Sequence, residues 1–419
     1  MEVTIEASSV SGTISAPSSK SAMQRAIACV LLAEGRSEII NPSLCDDAIA
    51  ALKMAECLGA DITNNSGRII IEGGYKPVCN KINCGESGLG ARLFSVLAAL
   101  HDDWIEIDGS GSLLKRPVHM IEETLAQMGV EVVTSGGLMP IKVKGPLKGG
   151  LAFVDGSISS QFLTGLLIAL PTLEADSKII VKNLKSKPYI NLTINILNFF
   201  GVEVINENYT VFNIPGLQRY KPCKYTVEGD WSGAAFLFVL AAIAGEIKVR
   251  GISCMSTQAD IAIIDVLRKA GALVEIHEDG IVVKRAELHS FETDITNYPD
   301  LAPPLAVLAS FCRGKSVIRG TERLKVKESM RGDALMAEFS KLGVNIVNYA
   351  DRIEVQGPSV IKGGAVHSHG DHRICMALAI LSVASESVVT ISGAESVNKS
   401  YPYFFRDLLQ MGIKINISE

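Results

Sequence analysis

Lys20, Ser21 and Arg25 stand where a polar turn, Pro17-Ser18-Ser19, runs into an apolar stretch, Ala26-Ile27-Ala28-Cys29-Val30-Leu31-Leu32-Ala33. A helix that is apolar almost all round is buried, so its first turn faces either solvent or a site. A helix start offers unpaired N–H groups and the positive end of a dipole, which suits an anion. Two cationic side chains and a hydroxyl strengthen that end. A capped, solvated helix start is the plainer reading of this one stretch, but the device recurs. Ser87, Gly88 and Arg92 precede Leu93–Leu100, and Ser159, Ser160 and Gln161 precede Phe162–Leu170. Asp230 and Ser232 precede Ala234–Ala244, Asp300 precedes Pro304–Phe311, and Asp371, His372 and Arg373 precede Ile374–Val383. Serine, aspartate and glycine cap helices in any protein. Capping does not call for Lys20, Arg25, Gln161 or Arg373. The spacing therefore predicts chemistry concentrated at one end of six equivalent buried helices.

Four further clusters bear on that chemistry. Gly85-Glu86-Ser87-Gly88-Leu89-Gly90 fits neither the dinucleotide fingerprint nor the P-loop spacing, but its glycines would let backbone N–H groups approach a phosphate closely. His367-Ser368-His369-Gly370-Asp371-His372 has metal-like residues, and a polar loop entering a helix accounts for it better; no metal is expected. Lys325-Val326-Lys327-Glu328-Ser329-Met330-Arg331 sets three cations around one carboxylate, which reads as a ligand contact. Asp155-Gly156-Ser157-Ile158-Ser159-Ser160-Gln161 holds more hydroxyls than one cap needs.

The elements that must position these groups repeat. Gly59, Gly129, Gly201, Gly271, Gly343 and Gly412 each follow an amphipathic helical pattern and open a strand, about seventy residues apart. Glycine just past a helix is the expected left-handed cap. Each amphipathic helix follows a short strand: Glu38–Ile40, Trp104–Ile107, Lys178–Val181, Glu246–Val249, Ser316–Ile318 and Val388–Ile391. Each glycine is followed by a strand pair, closed by Arg68–Ile71, Ile141–Val143, Val211–Ile214, Gly280–Val283 and Arg352–Val355. The sixth closing strand is missing before Glu419, and Met1–Glu6 has the alternation to supply it. Six units of this kind divide three and three. Residues 1–18 and 228–419 are expected to form a discontinuous domain and residues 19–227 a continuous one, with the crossings serving as hinges.

The 419 residues are too many for one ordinary core, and 47% hydrophobic with 20% charged residues describes a water-soluble globular chain with ample core. No apolar run reaches membrane-span length, and the first residues lack a basic leader pattern. Nine scattered cysteines without C-x-x-C pairs predict reduced thiols and a cytoplasmic protein. A formal charge of −5 excludes a general nucleic-acid binder, so any anion site is a local cationic cluster.

Pro17-Ser18-Ser19-Lys20-Ser21, Asp155–Leu163, Ser186-Lys187-Pro188-Tyr189-Ile190, Val326-Lys327-Glu328-Ser329 and Asp371-His372-Arg373 together resemble the 5-enolpyruvylshikimate-3-phosphate synthase family along nearly the whole chain. The resemblance implies two domains of three βαβαββ repeats with buried parallel helices, the inverse α/β barrel of enolpyruvyl transferases. It implies transfer of the enolpyruvyl group of phosphoenolpyruvate to the 5-hydroxyl of shikimate 3-phosphate, through a tetrahedral intermediate and with loss of phosphate. Lys20, Ser21, Arg25, Ser159, Ser160, Ser186, Tyr189, Asp300 and Lys327 would bind the phosphoshikimate. Lys20, Gly88, Arg116 and Gln161 would hold the phosphoenolpyruvate phosphate, and Arg331, Arg373 and Lys399 its carboxylate. Asp300 and Glu328, with Lys20 assisting, would carry the proton transfers. Domain closure would bring the two sets together on a monomer. No cofactor is implied, and the herbicide glyphosate is the family's competitor.

The chain departs from the family pattern at three places. Glu86-Ser87-Gly88-Leu89 stands where Asn-Ala-Gly-Thr is usual, Arg323 where an amide or acid is common, and Met330 where Asp precedes the arginine. Two rival readings fit the residues less well. The sister enzyme acting on UDP-N-acetylglucosamine carries a loop cysteine before an Arg-Pro pair, and here Arg116-Pro117 has no cysteine between Cys84 and Cys223. A silent phosphometabolite-binding protein would not need Lys20, Asp300 and Glu328 together.

Overall fold

The computed structural model describes residues 1–65, 67–157 and 159–418; Ile158, within the hydroxyl-rich stretch, lies outside them. Twelve α-helices occur among the described residues. Six are buried: α1 (Lys20–Leu32), α3 (Gly88–Ala98), α5 (Gln161–Ala169), α7 (Trp231–Ala244), α9 (Ala302–Phe311) and α11 (His372–Ser382). Alternating with them are α2 (Asp46–Cys57), α4 (His119–Gln127), α6 (Lys187–Phe199), α8 (Ile263–Lys269), α10 (Arg331–Lys341) and α12 (Phe404–Gln410). The even-numbered helices bury one face only, as their mixed sequences require. Each ends at one of the six repeat glycines, all of which have φ between +79° and +114°. At Gly59 a Cβ would lie 2.5 Å from the Lys76 carbonyl oxygen, so only glycine fits that turn.

Six four-stranded sheets complete the repeats. In one, Leu151–Asp155 pairs parallel with Ser177–Lys182, which pairs antiparallel with Val211–Ile214, followed by Ile205–Glu207. The parallel strand of each sheet is one that the repeat pattern of the sequence does not predict. Lys81–Asn83, Lys224–Thr226 and Glu292–Asp294 are only three residues long, too short for alternation to register. In the sixth sheet Glu2–Ile5 lies between Val389–Ser392 and Ile415–Ser418, antiparallel to both. It takes the place that the closing strand holds in the other five.

The chain divides into two compact units, one of Met1–Pro17 with Gly229–Glu419 and the other of Ser18–Glu228. Each contains three sheets, three buried helices and its own hydrophobic core. Two strands are exchanged in sequence between neighbouring repeats. Val10–Ser15, which precedes α1, pairs with Gly245–Arg250 of the discontinuous unit. Lys224–Thr226, which precedes α7, pairs with Gly35–Ile40 of the continuous one. In the discontinuous unit α7, α9 and α11 pack against one another. Every residue of α7 is buried. Its large side chains, Trp231, Phe236, Leu237, Phe238, Val239, Leu240 and Ile243, each contribute roughly 1.5–3 kcal/mol of burial. That gain holds the helix in place.

Candidate active site

In the continuous unit the starts of the buried helices are tied together by side chains. Ser19 caps α1, accepting from the Ala22 N–H. Lys20, the first residue of α1, donates to Asp47 Oδ2 at 2.9 Å, and both side chains keep only partial access to solvent. Gln24, fully buried, donates from Nε2 to the Asp47 carbonyl and to Ser87 Oγ, each at 3.0 Å. Ser87 in turn caps α3 through the Gly90 N–H. Arg92 donates to Gln161 Oε1 at 3.0 Å and to the carbonyls of Gly88 and Pro117, joining the starts of α3 and α5. Lys20, Ser87, Gly88, Arg92 and Gln161 are thereby connected through one network.

Arg25, like Arg92 and Arg116, is a buried cation of this group. It donates to Thr193 Oγ1 at 2.9 Å, to the Ser21 carbonyl at 2.8 Å, and to Thr164 Oγ1 and the Tyr189 carbonyl at longer range. Burial lowers its pKa to about 10, which leaves it charged at neutral pH. It anchors α6 beside α1 and so positions Ser186, which has left-handed backbone (φ +56°) just ahead of α6, and Tyr189 in its first turn. Ser159 Oγ accepts from the Gln161 N–H at 3.1 Å, and Ser160 is buried at the start of α5.

Arg116 follows the 3₁₀ turn Gly111–Lys115 and lies against Gly88, where a Cβ would come within 2.9 Å of its guanidinium. Glu86 accepts from both the N–H and the hydroxyl of Ser112, at 2.9 and 3.0 Å. The unusual acid thus caps the turn that leads to Arg116.

The discontinuous unit gathers carboxylates and cations. Asp300, in the turn that opens α9, accepts from Lys327 Nζ at 3.1 Å, Arg331 Nη1 at 2.9 Å and Arg373 Nη2 at 3.1 Å. Arg331 is fully buried and also bonds Asp371 through Nε, at 2.9 Å, and Glu328 through Nη2. Asp371 caps α11 through the Arg373 N–H and accepts from the Ser329 hydroxyl at 3.0 Å. Lys399 donates to the Gly370 carbonyl at 2.8 Å, on the loop entering α11. Burial works to raise the Asp300 carboxyl, but Arg373, Lys327 and Arg331 outweigh it and hold the group well below the usual carboxylate range. Burial lowers the Lys327 ammonium to about 8 against the pull of Asp300, with Arg331 and Arg323 adding to the fall. Arg331 is driven the other way: its three carboxylates overcome the burial penalty and secure its charge.

Asp47 and Gln24, which carry the networks, have no place in the sequence reading, and Arg92 and Asp371 enter it only as helix-start residues without a ligand role. The signal for Asp47 was present as the acidic first turn of α2, Asp46-Asp47. Asp260 was also missed. It is buried, bonds the Ser232 hydroxyl, and has its pKa raised to about 7, chiefly by burial and then by Asp300.

Each unit thus presents ionic groups at buried helix starts, one set mainly cationic with hydroxyls, the other pairing carboxylates with cations. This is the equipment of an enzyme that holds small phosphorylated anions and moves protons beside them. Comparison with known proteins makes the class specific. The 3-phosphoshikimate 1-carboxyvinyltransferase of Clostridium perfringens is 38% identical over 98% of this chain and 98% of its own. That of Methanococcus vannielii is 37% identical, again over 98% of both chains. A solved structure of EPSP synthase from Acinetobacter baumannii superposes with a TM-score of 0.86 and 25% identity, covering 100% of each chain. The family model for EPSP synthase (3-phosphoshikimate 1-carboxyvinyltransferase) matches residues 5–408, and the chain belongs to that family.

Proposed function

We propose that the chain transfers the enolpyruvyl group of phosphoenolpyruvate to the 5-hydroxyl of shikimate 3-phosphate, as a cytoplasmic monomer serving aromatic amino acid biosynthesis. The hydroxyl oxygen adds to C2 of phosphoenolpyruvate while a proton adds to the C3 methylene, giving a tetrahedral intermediate. Loss of a proton from the new methyl group then expels phosphate. Asp300, held ionised by its three cations, accepts the hydroxyl proton, and Glu328 serves the methylene. Lys20, Arg116, Gln161 and the backbone at Gly88 neutralise the leaving phosphate. Arg373 and Lys399 take the carboxylate, with Arg331 as the hub that fixes Asp300, Glu328 and Asp371. Ser21, Arg25, Ser159, Ser160, Ser186, Tyr189 and Lys327 hold the phosphoshikimate. The chemistry as written needs neither a metal nor a nicotinamide.

The observation that carries the assignment is Asp300 bridging Lys327, Arg331 and Arg373 while Glu328 sits on the same arginine. Two carboxylates fixed on one shared guanidinium can divide the paired proton transfers between them. Phosphate release from phosphoenolpyruvate is the test, with shikimate 3-phosphate and UDP-N-acetylglucosamine supplied in turn. Release with the shikimate acceptor alone, abolished in a folded Lys20→Met variant, is expected. Release with the nucleotide sugar alone overturns the acceptor, and undiminished turnover in Lys20→Met overturns the site.

A further inference from the structure

Away from this machinery, two of the nine thiols stand side by side. Cys57 is the last residue of α2, and Cys79 lies just ahead of the strand Lys81–Asn83. The Cys57 carbonyl accepts from the Val78 N–H at 2.9 Å and from the Cys79 N–H at 3.3 Å. With standard covalent geometry, a backbone bond of that length keeps the two Cα atoms within roughly 7 Å, about the span a disulfide bridges. The Cys57 thiol feels the neighbouring Cys79, and its Sγ reaches the Lys81 carbonyl at 4.0 Å.

Access separates this pair from the five buried cysteines, and adjacency separates it from the exposed Cys254. Cys79 is exposed and Cys57 half-buried, whereas Cys29, Cys45, Cys84, Cys312 and Cys375 are buried. Cys29 and Cys223 are also close enough to influence one another, but Cys29 sits in the core of α1, where burial pushes its thiol far up. Burial and the neighbouring Cys79 raise the Cys57 thiol to about 11. Cys57 is therefore a poor first nucleophile at neutral pH, and the exposed Cys79 is the point of entry.

We propose that Cys57 and Cys79 form a reversible dithiol–disulfide site whose oxidant is a small disulfide of the glutathione type. The Cys79 thiolate attacks one sulfur of the oxidant, forming a mixed disulfide and releasing one small thiol. The Cys57 thiol then loses its proton and attacks Cys79 Sγ, forming the internal disulfide and releasing the second. Two protein thiols are oxidised, one external disulfide is reduced to two thiols, and the two protons leave with those products. The bond joins the end of α2 to the segment that runs through Lys81–Asn83 to Gly88. Exposure of Cys79 leaves the bond open to reduction.

The full chain, incubated natively with oxidised glutathione, alkylated and mapped by mass, decides the matter. Expected is the loss of two alkylatable thiols, a cross-link between the peptides holding Cys57 and Cys79, no retained glutathione at either residue, and reversal by dithiothreitol. Cys57→Ser should instead trap glutathione on Cys79, and Cys79→Ser should leave Cys57 unmodified over the same time. A stable glutathione adduct on Cys79 of the parent chain, without the cross-link, overturns the proposal. So does oxidation of Cys57 at an unchanged rate in Cys79→Ser, or no reaction at Cys79 while the exposed Cys254 reacts.

Discussion

Replacing Gly88 with alanine tests the phosphate side of the site through a single added methyl group. That methyl would stand 2.8 Å from Arg116 Nη1 and 2.9 Å from Cζ and Nη2. Favourable contact begins at about 3.5 Å, so the guanidinium must withdraw by roughly 0.7 Å or more. Helix α3 accepts alanine at its first position, where propensity favours the change by up to about 1 kcal/mol, so the fold survives. If Arg116 shares the phosphoenolpyruvate phosphate with Lys20 and Gln161, a displaced fork forfeits one set of charge-assisted hydrogen bonds. The loss is about 1.5–3 kcal/mol, or roughly a tenfold to hundredfold rise in KM for phosphoenolpyruvate. Shikimate 3-phosphate, held by other groups, keeps its KM, and glyphosate loses more than the substrate does. Phosphate-release kinetics with each substrate varied measure all three effects. The argument also requires that the methyl acts through Arg116, so Gly88→Ala should add little in an Arg116→Ala background. An unchanged KM for phosphoenolpyruvate, or the same penalty in both backgrounds, would refute it.

Arg373→Ala should raise the phosphoenolpyruvate KM by a similar factor and also lower kcat, because Asp300 loses one of its cations. Arg373→Lys should recover only part, since a point charge cannot reproduce a fork, and an unchanged KM would show that the carboxylate binds elsewhere. With Lys327 at about 8, kcat/KM for shikimate 3-phosphate should fall as pH rises through 8, because the neutral amine no longer attracts the anion. Lys327→Arg should move that limb to higher pH; a limb that stays at 8 assigns it to another group. Asp260, raised to about 7, binds more protons folded than unfolded, so its contribution to stability is lost as pH climbs from about 4 to 7, on the order of 4 kcal/mol. Denaturant melts of Asp260→Asn should therefore show a gain at pH 8 and little change at pH 4, and equal effects at both would exclude the linkage.

The repeats were legible because two periodicities coincide: a helix-capping glycine about every seventy residues, and an apolar helix too uniform to face water. The role of Met1–Glu6 could be read because five complete units defined what a sixth lacked. The exchanged strands could not be read. Val10–Ser15 pairs in register with Gly245–Arg250, more than two hundred residues away, and nothing local records that choice of partner. Within the site, the cations stood out because helix capping does not explain them. Their supports did not, since an acidic first turn such as Asp46-Asp47 is ordinary helix chemistry and its bond to Lys20 is tertiary. Glu86 shows the same limit from the other side. As a sequence departure it set an acid near a phosphate site, whereas its carboxylate is engaged by Ser112.

Glu2 and Ser418 are direct partners across two antiparallel strands, so these two residues lie one strand spacing apart, about 5 Å. A short linker could join them, and the gene could then be reopened at Gly229. Such a circular permutant would encode residues 229–418, the linker and 1–17 as one uninterrupted unit, followed by 18–228 as the other. The double crossing of the present chain would become a single covalent tether between residues 17 and 18. In genetic terms the protein reads as one domain inserted within another, and a single rearrangement converts that insertion into a plain tandem fusion.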